Sequence, residues 1–355
     1  MLCFAPVGHA AELFATVAET TTFDSNVYSD ASEEWDMIIE PSGSLAVDFG
    51  DIYSIGYNGL LEVFPRHRDL LFHTHELFFF ANPTFGEEDQ NEIVTELSVK
   101  THRNDDAYAA VNLVEPMLFL EAGFSPTAWF SWTLSETVSF RWFYDDTEAD
   151  GIDSWTKGEL SFTAPSRTTL KPRLIYGLRY YPQLTGPAAS DPLDQQLEVG
   201  IRIGQNLVEG AGLRLDYAYV HGFDTSATVV RNIDEAAFQY LGEAFLLTAH
   251  LLEAGVKFIF DNGISINTAI AFADKLYNGW PARDEIGDPI GKARHDRELG
   301  PAARLTYTYL PREDASAAVP ELEVYVGYDY QRNWSNDTWY DTDRHRASLG
   351  FELVW

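Results

Sequence analysis

Along most of the chain apolar and polar residues alternate with a period of two. In the clearest segment Phe130, Trp132, Leu134, Val138, Phe140 and Trp142 face Ser131, Thr133, Ser135, Thr137, Ser139 and Arg141, so one side is greasy and the other polar. Met37, Ile39, Pro41, Leu45, Val47 and Phe49 oppose Ile38, Glu40, Ser42, Ser44, Ala46 and Asp48. Leu170, Leu174, Tyr176, Leu178 and Tyr180 oppose Lys171, Arg173, Gly177 and Arg179. Near the carboxyl end Leu322, Val324, Val326 and Tyr328 oppose Glu323, Gly327 and Asp329. Roughly sixteen such segments of about ten to fifteen residues recur, which is the rhythm of a transmembrane barrel.

Alternation also occurs in soluble sandwiches, so the connections have to decide. Short turns at Gly50-Asp51, Ser125-Pro126-Thr127, Pro165-Ser166-Arg167, 208–211 and Asp261-Asn262-Gly263 interleave with longer acidic loops near 29–34, 102–112, 145–154, 184–194, 224–246, 279–295 and 334–341. Short periplasmic turns and longer extracellular loops are the asymmetry of outer-membrane barrels. An even strand number returns both ends of the barrel to the short-turn side. No run of apolar residues is long enough for a membrane-crossing helix, so a chain that spans a membrane does so as a closed barrel. The fold expected is all-β: one transmembrane antiparallel β-barrel of about sixteen strands over residues 12–355.

Composition supports this reading. Aromatic residues make up 14% of the chain, which suits strands and the belts at membrane interfaces. The net charge of -31 argues against nucleic acid as a partner, because nucleic acid selects for Lys and Arg. The single cysteine, Cys3, lies in a short apolar stretch that ends Gly8-His9-Ala10. That small-x-small form makes residues 1–11 an expected remnant of a signal peptide, after which the chain has no cysteine.

The final strand runs as Leu349, Phe351, Leu353 and Trp355 on one face, with Ser348, Gly350, Glu352 and Val354 on the other. It resembles the closing strand of bacterial outer-membrane barrels, and the resemblance implies that the barrel-assembly machinery reads Trp355. The stretches Thr22 to Ser29, Glu34 to Leu45, Arg167 to Arg173 and Ile203 to Arg214 resemble hairpins of the porin-like barrels often encoded near capsule and exopolysaccharide genes. That resemblance implies an outer-membrane location, contact with lipid and lipopolysaccharide, and a choice between two roles. One is a passive channel for small polar solutes. The other is a non-conducting docking barrel of a polysaccharide-export or surface-assembly machine, with a partner protein in the envelope. The group has no catalytic signature to transfer, and the chain holds no nucleophile elbow, phosphate loop or zinc-protease motif, so a non-enzyme is expected.

A barrel this wide leaves an aqueous lumen unless loops fill it, and the inward residues then set its chemistry. Lys171, Arg173, Arg202, Arg214 and Lys257 are expected to form a basic wall. Glu40, Asp48, Glu62, Glu323 and Glu352 are expected to face it from strands near the closing seam. Opposed charges across a pore orient and select polar solutes; the alternative is that the same residues pair off as cross-strand ion pairs. No cofactor is expected, apart from a loosely held Ca²⁺ in the extracellular loop that carries Asp146, Glu148 and Asp150 at alternate positions. Lys157 occupies the place of the bidentate Glu in that partial match. His67, His73 and His75 lie next to Phe78, Phe79 and Phe80 and are expected at an interface belt rather than around a metal.

Overall fold

The computed structural model describes residues 11–86, 90–104, 106–145, 147–183, 193–223, 245, 247–310 and 319–355. The strands are β1 (Ala11–Asp24), β2 (Asp36–Phe49), β3 (Tyr53–Glu62), β4 (Phe72–Ala81), β5 (Thr84–Phe85), β6 (Asn91–Asn104), β7 (Leu113–Thr127) and β8 (Phe130–Phe143). The second half adds β9 (Gly151–Thr163), β10 (Thr168–Tyr180), β11 (Leu193–Val208), β12 (Ala211–Phe223) and β13 (Leu247–Ile259). It ends with β14 (Ile264–Arg283), β15 (Pro289–Tyr309), β16 (Glu321–Ser335) and β17 (Thr342–Val354). Neighbours pair antiparallel all the way round, and β17 pairs back onto β1. The two-residue β5 continues the pairing of β4 along β6, so the ring has sixteen staves.

Closure fixes which face is which. At the seam Thr16, Ala18 and Thr20 stand opposite Val354, Glu352 and Gly350 and look inward. Across Gly350 the Tyr325 hydroxyl lies 2.7 Å from Thr20 Oγ1, and any side chain at position 350 would collide with the Tyr325 ring. The alternate row, with Val17, Leu349 and Phe351, faces out and leaves these apolar side chains exposed, Leu349 by 56%. Exposed apolar surface on nearly every strand is what a lipid solvent requires. Ala11 already pairs with Phe49, while residues 1–10, with the expected signal-peptide remnant, lie outside the described residues.

Short turns at 50–52, 128–129, 164–167, 209–210 and 260–263 occupy one end. Gly210 and Gly263 supply positive φ values of 75° and 82° there, where a side chain would be strained. The 310–320 connection shares that end, and the other end carries the remaining longer connections. Two of these differ from expectation. The segment 279–295 is mostly strand, because β14 and β15 run on past their neighbours and turn only at 284–288. The loop near 145–154 ends at Gly151, where β9 begins, so Asp153 belongs to a strand.

The closely packed part of the molecule is the long-loop end, not the middle. Asp24, Asn26, Asp36, Asp296 and Asp337 are fully buried there, each answered by hydrogen-bond donors. Arg344 donates from Nε to Asp24 Oδ1 at 2.9 Å and from Nη1 to Ser29 Oγ at 2.7 Å, tying β17 to β1 above the seam. Arg294 pairs with Asp296 and lies 3.3 Å from the centre of the Tyr340 ring and 4.2 Å from that of Tyr277. Such charges resist separation because each, left alone, would be buried without a counter-ion. Arg344→Leu is expected to cost about 3–5 kcal/mol, the usual penalty for orphaning a buried partner, read as a lower denaturant midpoint of the detergent-folded barrel. Arg344→Leu with Asp24→Leu is expected to recover part of that loss.

Candidate functional site

The register carries one unbroken inward row around the ring, and all ten charged residues expected in the lumen lie on it. On the basic side Lys171 stands opposite Arg202, Arg202 opposite Asp216, Arg214 opposite Gly255, and Lys257 opposite Gly212. These residues do not form a bare cationic wall. Arg173 reaches Glu198 and Asp216, both at 2.8 Å, and Arg202 reaches the other oxygen of Asp216 at 2.6 Å. Arg214 pairs with Glu253, and Lys171 lies 3.6 Å from Glu159. Lys257 makes no ion pair with a described residue. Long cations and carboxylates alternating on adjacent strands pair because their side chains reach across a single strand spacing.

The acidic side is different. Glu40, Glu62 and Glu352 make no ion pair with a described residue. Asp48 accepts a hydrogen bond from Ser54 Oγ at 2.6 Å, and Glu323 lies 3.1 Å from Arg304. From β1 to β6 the inward row also carries Glu12, Glu76, Glu92 and Glu96, and Lys100 is its one Lys or Arg among the described residues. Strands β2 and β11 stand eight staves apart on the ring of sixteen, as do β3 and β12. The unpaired carboxylates of β2 and β3 therefore lie on the side of the ring opposite the arginine arc but nearer the long-loop end, Glu40 as the fifth residue of β2 and Glu62 as the last of β3, whereas Arg214 is the fourth residue of β12 counted from the short turns.

Between the two arcs the wall recedes. Ala218, Ala271, Ala273, Gly300 and Ala302 line a recess of about 500 Å³, bounded by Arg173, Arg202 and Asp216 at one side and by Asp329 and Arg346 at the other. Arg346 donates from Nε to Asp329 at 2.8 Å. Small residues on β14 and β15 withdraw side-chain bulk from the lumen, so the recess is a consequence of sequence as well as curvature.

A second constellation escapes the sequence reading. Arg179 binds Asp153 with two parallel hydrogen bonds of 2.9 and 3.0 Å, and Arg141 donates to the same carboxylate at 2.7 Å. All three are buried. Phe245, from the last part of the long 224–246 connection, lies with its ring 5.1 Å from that of Trp155 and 4.7 Å from the Arg179 guanidinium. Trp155 and Arg179 are on the inward row, so this connection returns to β13 along the inside of the wall at Phe245. Its remaining residues lie outside the described residues. Glycines are the signal that announces this packing. A side chain at Gly222 would meet the Phe245 carbonyl, and one at Gly177 the Trp155 ring.

The calcium expectation rests on three residues. Asp146 and the side chain of Glu148 lie outside the described residues, and Asp150 accepts a hydrogen bond from the Phe143 N–H at 2.8 Å. Among the described residues no group of His, Cys, Asp and Glu is arranged to hold a metal. His73 and His75 sit on the outward face with ring centres 5.0 Å apart. His67 lies apart from them in the connection between β3 and β4, with Nε2 at 2.6 Å from Glu34 and Nδ1 at 3.0 Å from Asp36.

No protein-family model and no curated protein matches the chain. Solved structures do. OpdQ of Pseudomonas aeruginosa aligns over 98% of this chain and 99% of its own, with 10% identity and a TM-score of 0.53. OccAB1 of Acinetobacter baumannii aligns over 97% and 96%, with 9% identity and a TM-score of 0.54. OccAB2 of the same organism aligns over 97% and 98%, with 10% identity and a TM-score of 0.51. The shared property is the fold, a closed sixteen-strand antiparallel β-barrel.

His67 generates a pH-dependent expectation. Burial lowers its pKa, but hydrogen bonds and charge from Glu34 and Asp36 outweigh burial and raise it. The stabilising pair is then complete below the ordinary histidine value of about 6.5 and is lost as pH rises through the higher folded value. NMR titration of the His67 ring is expected to give a midpoint above that of a free histidine. Glu34→Gln is expected to lower that midpoint.

Proposed function

We propose that the barrel is a passive, porin-like channel for small polar solutes, with the transverse charge of the lumen as its filter. The observation that carries this reading is the unequal pairing of the two arcs. Arginines on β10 to β12 are held by carboxylates, whereas Glu40, Glu62 and Glu352 across the lumen are not. Fixed arginine pairs keep the wall rigid and present a patterned polar surface. The free carboxylates supply the net field that a permeating solute meets, and rings or arcs of charge are a selectivity device in pores. The recess lined by Ala and Gly widens the path beside the arginine arc, so a solute with donors and acceptors can exchange water for the wall there. The overall likeness to outer-membrane porins supports the same reading. No specific observation favours the docking alternative.

Planar-bilayer recording tests the proposal. The purified barrel is expected to open a steady conductance that prefers cations. Glu40→Gln with Glu62→Gln is expected to shift the reversal potential towards anions, and Lys257→Gln to shift it the other way. None of these positions makes an ion pair with a described residue, so the folded wall stays intact. An electrically silent barrel, or selectivity indifferent to all three substitutions, would sink the channel reading.

A further inference from the structure

Polar residues prevail on the inward row, yet one stretch of it is apolar. Phe78 and Phe80 on β4 share the face of Glu76, and their direct partners on β6 are Ser98 and Glu96. The same two residues of β6 stand opposite Met117 and Phe119 on β7. Glu96 is thus set between two phenylalanines in direct register, and Ser98 between a phenylalanine and a methionine. Gly56 on β3 leaves room for the Phe78 ring, which any side chain at that position would strike. Phe78, Phe80, Met117 and Phe119 are all half-buried, so part of each side chain stays open to the lumen. An apolar patch rimmed by polar residues is the mark of a binding surface.

The charges set into this patch have one sign. Glu96 makes no ion pair or hydrogen bond with a described residue, and neither does Glu121, which follows Phe119 on the inward row of β7 and stands opposite Val94. Glu76, on the long-loop side of Phe78, accepts a hydrogen bond from Asn58 Nδ2 at 3.0 Å and pairs with no described cation. Lys100 lies further up β6, between Glu76 and Glu115. On the short-turn side Phe80 borders a recess of about 300 Å³ whose charged lining residues are Glu12, Asp48 and Asp51; none of its described lining residues is basic. Water satisfies such carboxylates but not the rings beside them. An organic ammonium satisfies both, because its charge meets the carboxylate while its polarised C–H and N–H groups lie against phenyl faces, whose quadrupole attracts a cation.

We propose that the inner wall of β4, β6 and β7 is a subsite for organic ammonium ions, with Glu96 as the counter-ion and Phe78, Phe80 and Phe119 as the surface that receives the alkyl groups. Met117 extends that surface with a flexible, polarizable side chain that adapts to the shape of the solute. Glu121 and the acidic recess continue the negative potential towards the short turns, so a cation leaves Glu96 stepwise in that direction. This names a solute class for the proposed channel and rests on that reading only for the solute's passage. Binding at Glu96 requires no conduction.

The test uses choline as the probe, and for comparison the neutral alcohol in which carbon replaces choline's nitrogen. Saturation-transfer NMR on the barrel folded in a maltoside detergent reads the binding of each. Wild-type barrel is expected to bind choline saturably and the alcohol about tenfold more weakly. Glu96→Gln is expected to weaken choline binding about tenfold. Phe80→Leu with Phe119→Leu is expected to weaken it about fivefold and to leave the alcohol unchanged, whereas Phe80→Tyr with Phe119→Tyr keeps both ring faces and is expected to match wild type. Heat-modifiable gel migration certifies the fold of each variant. No saturable choline binding, equal binding of the alcohol, or a choline affinity indifferent to Glu96→Gln and to the leucine pair would overturn the proposal. Planar-bilayer recording keeps the two readings apart: a silent barrel that binds choline retains the subsite and loses the channel, and a conducting barrel that does not bind choline does the reverse.

Discussion

The hydrogen-bond ladder between β1 and β17 is the constraint on which everything else depends. A sheet edge left open in hydrocarbon would strand a row of backbone donors and acceptors at several kcal/mol each, so a membrane-spanning sheet must close. Closure at Thr16 to Asp24 against Arg346 to Val354 sets the register at the seam, and the antiparallel ladders carry that register through all sixteen staves. Once it is set, the period of two assigns every residue to lipid or to lumen, and a slip of one position at any strand would exchange the two faces. The inner glycines are part of this arrangement. Gly350 yields space for Tyr325 to bridge to Thr20, so the last strand is fastened through its inner face as well as its backbone.

The distribution of buried groups follows from the same geometry. A wide barrel has no side-chain core at mid-height, because opposite walls are too far apart to touch. Packing is therefore displaced to the mouth, where strand ends and connections crowd together. Fully buried carboxylates such as Asp24 and Asp296 are bound there by Arg344 and Arg294, and the Arg141–Asp153–Arg179 cluster carries the ring of Phe245 on its surface. The fully buried carboxylates among the described residues therefore gather at that end.

Within the lumen, pairing separates two kinds of charge. Arg173 and Arg202 share Asp216 and so act as structure as much as field. Glu40, Glu62, Glu352 and Lys257 have no such partner among the described residues. This distinction matters for any substitution, since reversing a paired arginine also frees a carboxylate beside it. Charge-neutral changes at the unpaired positions isolate electrostatics from packing.

By itself the sequence determined the barrel and the direction of each side chain. Alternation in segments such as 130–142 encodes two solvents, and the contrast between tight turns and long connections orients the ring; both are local properties written in adjacent residues. That Lys171, Arg173 and Glu40 face inward follows from the same parity. The tertiary structure alone decided the partners. Asp216 lies 43 residues from Arg173 in sequence, and Asp24 lies 320 from Arg344; which carboxylate a cation reaches depends on stagger between strands, and alternation does not record stagger. The structure also turned the 279–295 segment from loop to extended hairpin, since strand pairing can continue beyond the membrane where the polarity pattern no longer has lipid to answer to.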